Sequence, residues 1–97
     1  AGTMLAARLL APVLAQEPDR RSSQLSVLTS WLGENGNWDA TAKVLGLHRN
    51  SVRRQITALA ELLDMDLGSA QVRAELWIAL QYVDGLADGV SQIPQDR

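Results

Sequence analysis

Apolar residues recur at helical intervals along most of the chain, and this pattern predicts an all-α protein of about five helices. In residues 3–16 the helical rhythm is broken by Pro12, and the Gln16-Glu-Pro-Asp19 stretch that follows is typical of a turn. The pattern predicts a short lead-in helix. The Ala-rich composition is equally compatible with the end of a linker, so both interpretations stay open.

A longer helix is predicted next. Either Ser22 or Ser23 is the expected N-cap, and Asn35-Gly36 is the expected stop. Between them, four apolar residues spaced three, three and one apart share one face: Leu25, Leu28, Trp31 and Leu32.

A short helix and a tight turn should follow. Asn37 is the expected N-cap, and Asp39 falls in the first turn, where the helix dipole favours a negative charge. Ala42 is the small residue that faces inward, and Gly46 is expected to end the helix because a tight turn between helices often needs a positive φ.

The helix after the turn should begin near His48 or Arg49 and run to about Leu63. Its predicted buried stripe is Val52, Ile56, Leu59, Ala60 and Leu63. Its predicted exposed face carries Arg49, Asn50, Arg53, Arg54 and Thr57. Two helices joined by such a turn form a helix-turn-helix, in which residues 40–45 would be the positioning helix and residues 49–63 the recognition helix.

After a connector over residues 64–69, Gly68 or Ser69 can cap a last helix. This helix would bear Val72, Leu76, Trp77, Ala79, Leu80 and Val83. The predicted organisation is a lead-in helix or linker over residues 1–18, one helix-turn-helix domain over residues 19–84, and a C-terminal tail over residues 85–97 that is expected to fray.

Composition narrows the classes of function. The 97 residues include no Cys and one His, so thiolate metal sites and cysteine nucleophiles are excluded and no cofactor is expected. Acids are scattered singly and no Ser has a plausible His partner nearby, which argues against an enzyme. No stretch approaches the roughly eighteen apolar residues of a membrane span, and the N-terminus does not resemble a signal peptide, so we expect no membrane contact and a cytoplasmic location.

Charge is distributed unevenly along the chain. The formal net charge of −2 argues against nucleic-acid binding, because such domains are usually basic overall. However, residues 43–54 hold four of the nine basic side chains, and residues 40–60 contain no acid. Since the Debye length is about 8 Å at physiological salt, distant acids are largely screened from a local basic face.

The side chains in this basic segment suit recognition of duplex DNA. Arg presents a planar fork to guanine or phosphate, and Asn can pair bidentately with adenine. The predicted DNA-contacting residues are Lys43, His48, Arg49, Asn50, Ser51, Arg53, Arg54 and Thr57. Alternatives stay open for several of them: His48 and Asn50 could cap the helix, the arginines could form only a solvated face, and Lys43 could be an ordinary surface lysine.

The three tryptophans raise a different possibility, a stacking platform for single-stranded nucleic acid. Trp31 and Trp77 fall in apolar stripes, so we expect them in the core instead. Trp38 adjoins the Asn37 cap and would be either a hydrophobic staple or partly exposed.

A longer set of residues resembles a known family. The set comprises Gly36-Asn37, Thr41-Ala42, Leu45, His48-Arg-Asn-Ser-Val-Arg53, Glu61-Leu-Leu63, Asp66-Leu67 and Arg73-Ala-Glu-Leu-Trp77. Together these segments are similar to the C-terminal helix-turn-helix domain of PucR-type bacterial transcription regulators. That group includes purine-catabolism and sugar-diacid regulators. The resemblance runs from about Leu9 to about Leu80 and implies a Fis-like layout at the C-terminus of a longer protein with sensory regions. The chain departs from the family pattern at Gln55, Thr57 and Ala58, where further arginines often stand, and at Arg54, where Tyr is frequent.

The sequence therefore predicts sequence-specific binding of double-stranded DNA by one domain of a transcription regulator. Because one domain offers few contacts, we expect a homodimer in the full-length protein. The alternative is a helical protein-interaction or dimerisation module whose arginines bind an acidic partner, and the acidic total charge favours this alternative.

Overall fold

Six helices make up the part of the chain that the computed structural model describes, which is residues 2–92 for the backbone and residues 4–83 for the side chains. They are α1 (Gly2–Leu9), α2 (Ala11–Leu14), α3 (Pro18–Gly33), α4 (Trp38–Leu45), α5 (Arg49–Leu63) and α6 (Ala70–Gln92). No strand occurs within residues 2–92, and none of these helices is both long and apolar enough to cross a membrane. The predicted all-α class is confirmed.

The segment before α3 forms two helices that pack into the core. Leu10, between α1 and α2, and Val13 in α2 are fully buried, and Ala6 is nearly so. Pro12 lies at the start of α2, where backbone N–H groups have no acceptor within the helix, so the N–H that proline lacks costs no hydrogen bond. The apolar rhythm therefore continues across the proline because a new helix begins there, while α1 packs along α6.

The predicted start of α3 is wrong. The helix begins at Pro18 rather than after Ser22 or Ser23, and the Arg21 N–H already donates to the Glu17 carbonyl at 2.8 Å. The fixed φ of proline suits the first helical position, and Asp19 adds a favourable charge in the first turn. These two features outweigh the capping tendency of the serines further along.

The core lies between α3, α5 and α6, with α2 and α4 closing its sides. Leu28, Val52, Leu76 and Leu80 are fully buried at its centre. Trp31 is buried as predicted, but the expectation for Trp77 is wrong, since this residue is 41% exposed. Its ring lies against the end of α3, beside Gly33, instead of entering the core.

Ser69 is the N-cap of α6, because its Oγ accepts a hydrogen bond from the Val72 N–H at 3.3 Å. The backbone of α6 is helical to Gln92, and the fraying expected from residue 85 stays a prediction. Residues 93–97 of the expected tail lie outside the described part of the chain.

Candidate DNA-binding surface

The first helix of the motif, α4, begins where the sequence predicts. The Asn37 side-chain carbonyl accepts a hydrogen bond from the Ala40 N–H at 2.8 Å, which satisfies one of the free donors at the helix start. Thr41 is fully buried, and its hydroxyl donates to the Asn37 carbonyl at 2.7 Å. Asn37 is thus held at both its side chain and its backbone, which fixes where α4 starts.

The turn between α4 and α5 depends on Gly46. Its φ is 68°, in the left-handed region, and its N–H donates to the Lys43 carbonyl. The next N–H, from Leu47, reaches back to the Ala42 carbonyl at 2.9 Å. This pair of bonds is the Schellman motif, in which a left-handed residue closes a helix C-terminus. The predicted role of Gly46 is confirmed. The turn is short, and α5 begins at Arg49, two residues after Leu47.

α5 is strongly amphipathic. Val52, Ile56, Leu59 and Leu63 are buried, and Ala60 in the predicted stripe is half-buried. The opposite face carries exposed side chains at all the predicted positions: Arg49, Asn50, Arg53, Arg54 and Thr57. Because the buried face anchors α5 to the core, the polar face is presented on a rigid element.

We call the exposed cations Lys43, Arg49, Arg53 and Arg54 the basic cluster. Lys43 lies in the last turn of α4 and the three arginines lie in the first half of α5, so both helices of the motif carry exposed basic residues. Exposed guanidinium groups near a helix N-terminus can bind phosphate oxygens or guanine edges through their paired N–H donors.

His48 is the N-cap of α5. Its Nδ1 accepts a hydrogen bond from the Asn50 N–H at 3.3 Å, so the capping interpretation describes its contact in the free protein. The side chain of His48 is nevertheless exposed, as is that of Asn50. Asn50 does not itself serve as the cap, which leaves its amide available to a ligand.

Two further predicted residues interact within α5. The Arg54 guanidinium lies 3.5 Å from the Ser51 hydroxyl, to which it donates a weak hydrogen bond, and Ser51 is half-buried. The Thr57 hydroxyl donates to the Arg53 carbonyl one turn earlier, at 2.9 Å. The Thr57 proton is therefore engaged while its oxygen retains acceptor capacity. Ser51 uses its oxygen as the acceptor, and this bond does not engage its proton.

One arginine contacts an acid from outside the acid-free segment of residues 40–60. Asp39 Oδ1 of α4 lies 3.7 Å from Arg49 Nε. The two side chains are 73% and 55% exposed, respectively. Sequence spacing alone does not indicate this pair, because Asp39 precedes the acid-free segment by one residue and the helix dipole already accounts for an acid in the first turn of α4.

Two apolar residues beside the basic cluster in the sequence are also exposed. Val44 at the end of α4 is 60% exposed, and Leu47 in the turn is partly exposed. In the sequence, only their position between Lys43 and His48 indicates that these two residues could lie near the candidate DNA-binding residues. Since the thymine methyl group and deoxyribose are apolar, such side chains can complement the basic cluster.

The other side of the motif is aromatic and packed. Trp38 is half-buried, and its ring stacks on that of Trp31 with centroids 5.6 Å apart and an interplanar angle of 28°. This arrangement does not leave two free ring faces for stacking bases. Among the described residues there is also no group of three His, Asp or Glu side chains that could hold a metal ion.

Comparisons with known proteins agree with this architecture. The family model for the PucR C-terminal helix-turn-helix domain matches residues 24–82, from within α3 to within α6. "Uncharacterized protein in pkwA 5′ region" of Thermomonospora curvata is 40% identical over 75 residues, which are 77% of this chain and 42% of that protein. No solved structure matches the chain.

Two further relatives are regulators by name. The carbohydrate diacid regulator of Escherichia coli (strain K12) is 37% identical over 54 residues, which are 56% of this chain and 14% of that protein. The transcriptional activator PmfR of Paenarthrobacter nicotinovorans is 28% identical over 61 residues, 63% of this chain and 13% of that protein. This chain thus spans less than half the length of these relatives.

The regulator relatives point to a non-enzymatic role. Together with the capped helices α4 and α5 and the left-handed turn at Gly46, the match over residues 24–82 identifies the motif. The chain belongs to the family of PucR C-terminal helix-turn-helix domains, which supports a DNA-binding regulatory role.

Proposed function

We propose that this chain binds double-stranded DNA sequence-specifically, as the C-terminal domain of a longer bacterial transcription regulator. In this arrangement α5 enters the major groove and α4 lies across the sugar-phosphate backbone. The observation that carries the proposal is the exposed face of α5, where Arg49, Asn50 and Arg53 stand in the first two turns while the opposite face is buried.

The side chains divide between two kinds of contact. Arg49, Asn50 and Arg53 lie near the N-terminus of α5, the part of a recognition helix that reaches base edges. Lys43 at the end of α4 and Arg54 are assigned to phosphates, which set the register of the protein without specifying sequence. His48, Ser51 and Thr57 line the same surface and would add hydrogen bonds to phosphate or base.

The number of cations sets the expected salt dependence. Each neutralised phosphate contributes about −0.9 to the slope of log K against log salt, so three or four contacts give a slope of roughly −3 to −4. Non-specific binding of one domain at physiological salt should have a Kd on the order of 10⁻⁴ M or weaker. We therefore propose that the full regulator binds as a homodimer on two half-sites, about one helical turn apart.

The test is a titration of the chain into random-sequence duplex DNA at several salt concentrations. The Arg49→Ala/Arg53→Ala variant should lose about two units of slope and most of the binding. Arg8→Ala is the control for removing a charge, because Arg8 is exposed on α1, which packs on α6 and α2 rather than on α5. This variant should keep the wild-type slope.

The outcome that contradicts the proposal is equally definite. Equal binding by the wild type and the double variant, or no binding by either at low salt, would favour a helical protein-interaction module. The exposed apolar side chains Met4, Leu5, Ile78 and Tyr82 on α1 and α6 are the observation that supports this second candidate.

A further inference from the structure

Asp39 is an acid on a surface that otherwise carries cations. Its carboxylate lies on α4, and the guanidinium it contacts belongs to Arg49, the first residue of α5. The contact therefore connects the two helices of the motif at the point where α5 would meet DNA. We infer that Asp39 is a positioning residue for Arg49 and increases the specificity of DNA recognition, an inference that rests on the proposed function.

The geometry of the contact leaves the recognition end of Arg49 available. Asp39 Oδ1 lies 3.7 Å from Nε, which is the inner nitrogen of the guanidinium. The two Nη groups form the outer fork that pairs with guanine O6 and N7. Neither Nη of Arg49 makes a hydrogen bond within the part of the chain that the structure describes. An acid at Nε can restrict the rotation of the fork without occupying it.

The position of Asp39 is itself well fixed. Asn37 caps α4 through its bond to the Ala40 N–H, and the buried Thr41 ties the same turn to the Asn37 carbonyl. The backbone on either side of Asp39 is thereby held in place. Arg49 is held at its backbone in the first turn of α5, next to the His48 cap. Two fixed backbones leave only side-chain rotation for the ion pair to restrict.

The ion pair is too exposed to be needed for folding. Ion pairs between side chains that are more than half exposed contribute little to stability, because water screens them and ordering two side chains costs entropy. DNA binding changes this balance, since the groove displaces water from the pair and lowers the local dielectric constant. The contact should therefore matter mainly in the complex.

Asp39 has two opposite effects on binding. Its negative charge repels phosphates, which weakens binding to any DNA sequence. Its restriction of Arg49 reduces the side-chain entropy lost when the fork pairs with its base, which favours the correct sequence. The repulsion lowers specific and non-specific affinity alike, whereas the restriction of Arg49 favours only the correct sequence. A carboxylate at this site therefore raises the ratio of specific to non-specific affinity through Arg49, even where it lowers affinity overall.

The alternative role for Asp39 is local. Acids in the first turn stabilise a helix through its dipole, and Asp39 occupies such a position in α4. Asp19 provides a matched control, because it is an exposed acid in the first turn of α3, near Gln55 and Ala58 of α5. Asp19 shares the dipole interaction and proximity to α5, and no ion pair with an arginine of the basic cluster is seen for it among the described side chains.

The experiment compares the sequences bound by five forms of the chain: wild type, Asp39→Asn, Asp19→Asn, Arg49→Lys and the double variant Arg49→Lys/Asp39→Asn. Each is used to select duplexes from a pool with a random core of about one helical turn, and affinity for the unselected random duplex is measured in parallel. In Asp39→Asn, preference at one base pair should fall by about 2- to 10-fold, the entropic value of one ordered side chain. The same base pair should lose its preference in Arg49→Lys.

Affinity for the random duplex provides the second readout. Asp39→Asn should bind it on the order of 2- to 5-fold more tightly than wild type, because a repulsive charge is gone. Asp19→Asn should keep the wild-type sequence preference at every position. In the Arg49→Lys background, Asp39→Asn should produce no further loss of preference.

Two results would overturn the inference while leaving the proposed function intact. One is an unchanged preference in Asp39→Asn at the position that Arg49→Lys affects. The other is an equal loss of preference in Asp19→Asn and Asp39→Asn, which would indicate a general effect on helix stability. If the wild-type chain selects no sequence and shows no salt-dependent binding, the proposed function fails first and the inference fails with it.

Discussion

Three glycine-to-alanine substitutions should change stability with different signs, and together they test the turn geometry. Gly33 ends α3, and a Cβ there would make ordinary contacts of 3.7 Å with the Trp77 ring. Gly46 has a φ of 68°, and a Cβ there would meet nothing within 4 Å. Gly36 has a φ of 77°, and its Cβ would lie 3.3 Å from the ring of the buried Trp31.

The magnitudes follow from these environments. Gly33→Ala should stabilise the protein by about 0.5 kcal/mol, since alanine is favoured over glycine in helices by up to about 1 kcal/mol and the site is a helix end. Gly46→Ala should destabilise by about 1 kcal/mol, because left-handed strain of about 1–2 kcal/mol is partly offset by a less flexible unfolded chain. Gly36→Ala adds an overpacking cost to the same strain, for a loss of about 2–4 kcal/mol.

Urea unfolding followed by circular dichroism measures all three free energies of unfolding. Thermal unfolding provides a second measurement. For a domain of this size, a change of about 1 kcal/mol in stability shifts Tm by about 4–8 °C, so the differences are easily resolved. Gly46→Asn should fall between wild type and Gly46→Ala, because Asn tolerates the left-handed region better than Ala. If Gly46→Ala were as stable as wild type, the left-handed turn and the α4–α5 geometry built on it would be refuted.

Two further predictions use the same assay. Leu76→Ala should lower the free energy of unfolding by about 2–5 kcal/mol, because Leu76 is fully buried. Ile78→Ala should change it by no more than about 0.5 kcal/mol, because Ile78 is 57% exposed. Similar losses in the two variants would contradict the assigned faces of α6. Asn37→Ala should cost about 0.5–2 kcal/mol through loss of the cap, and Asn37→Asp should retain most of the stability; a neutral Asn37→Ala would show that the cap bond contributes nothing.

Local features of the motif could be predicted because they depend on residues close together in sequence. The cap at Asn37, the left-handed turn at Gly46 and the start of α5 at Arg49 each involve contacts within five residues. The exposed face of α5 follows from the same helical period that places Val52 and Ile56 in the core. Helix period and capping chemistry suffice for these features.

Other features depend on how helices meet, which the sequence pattern does not encode. Trp77 shares the α6 pattern with the buried Leu76 and Leu80, yet its ring extends past the edge of the core towards Gly33. The Asp39–Arg49 contact likewise depends on the angle between α4 and α5. The start of α3 is a different case, because Pro18 and Asp19 are helix-start residues that the sequence itself contains, and they outweigh the capping tendency of the serines after them.

The net charge of the chain and the charge of its candidate surface have opposite signs, and the dimensions of the molecule reconcile them. The described part measures 43 × 27 × 24 Å, so even its shortest extent is about three Debye lengths at physiological salt. Acids on the far side of the protein are then screened from DNA at the basic cluster. At about 0.01 M salt the Debye length grows to about 30 Å and those acids act on the DNA as well. The slope of log K against log salt should therefore be measured near physiological salt. There it reports the phosphate contacts of the basic cluster, because only nearby charges, including Asp39, affect the binding constant.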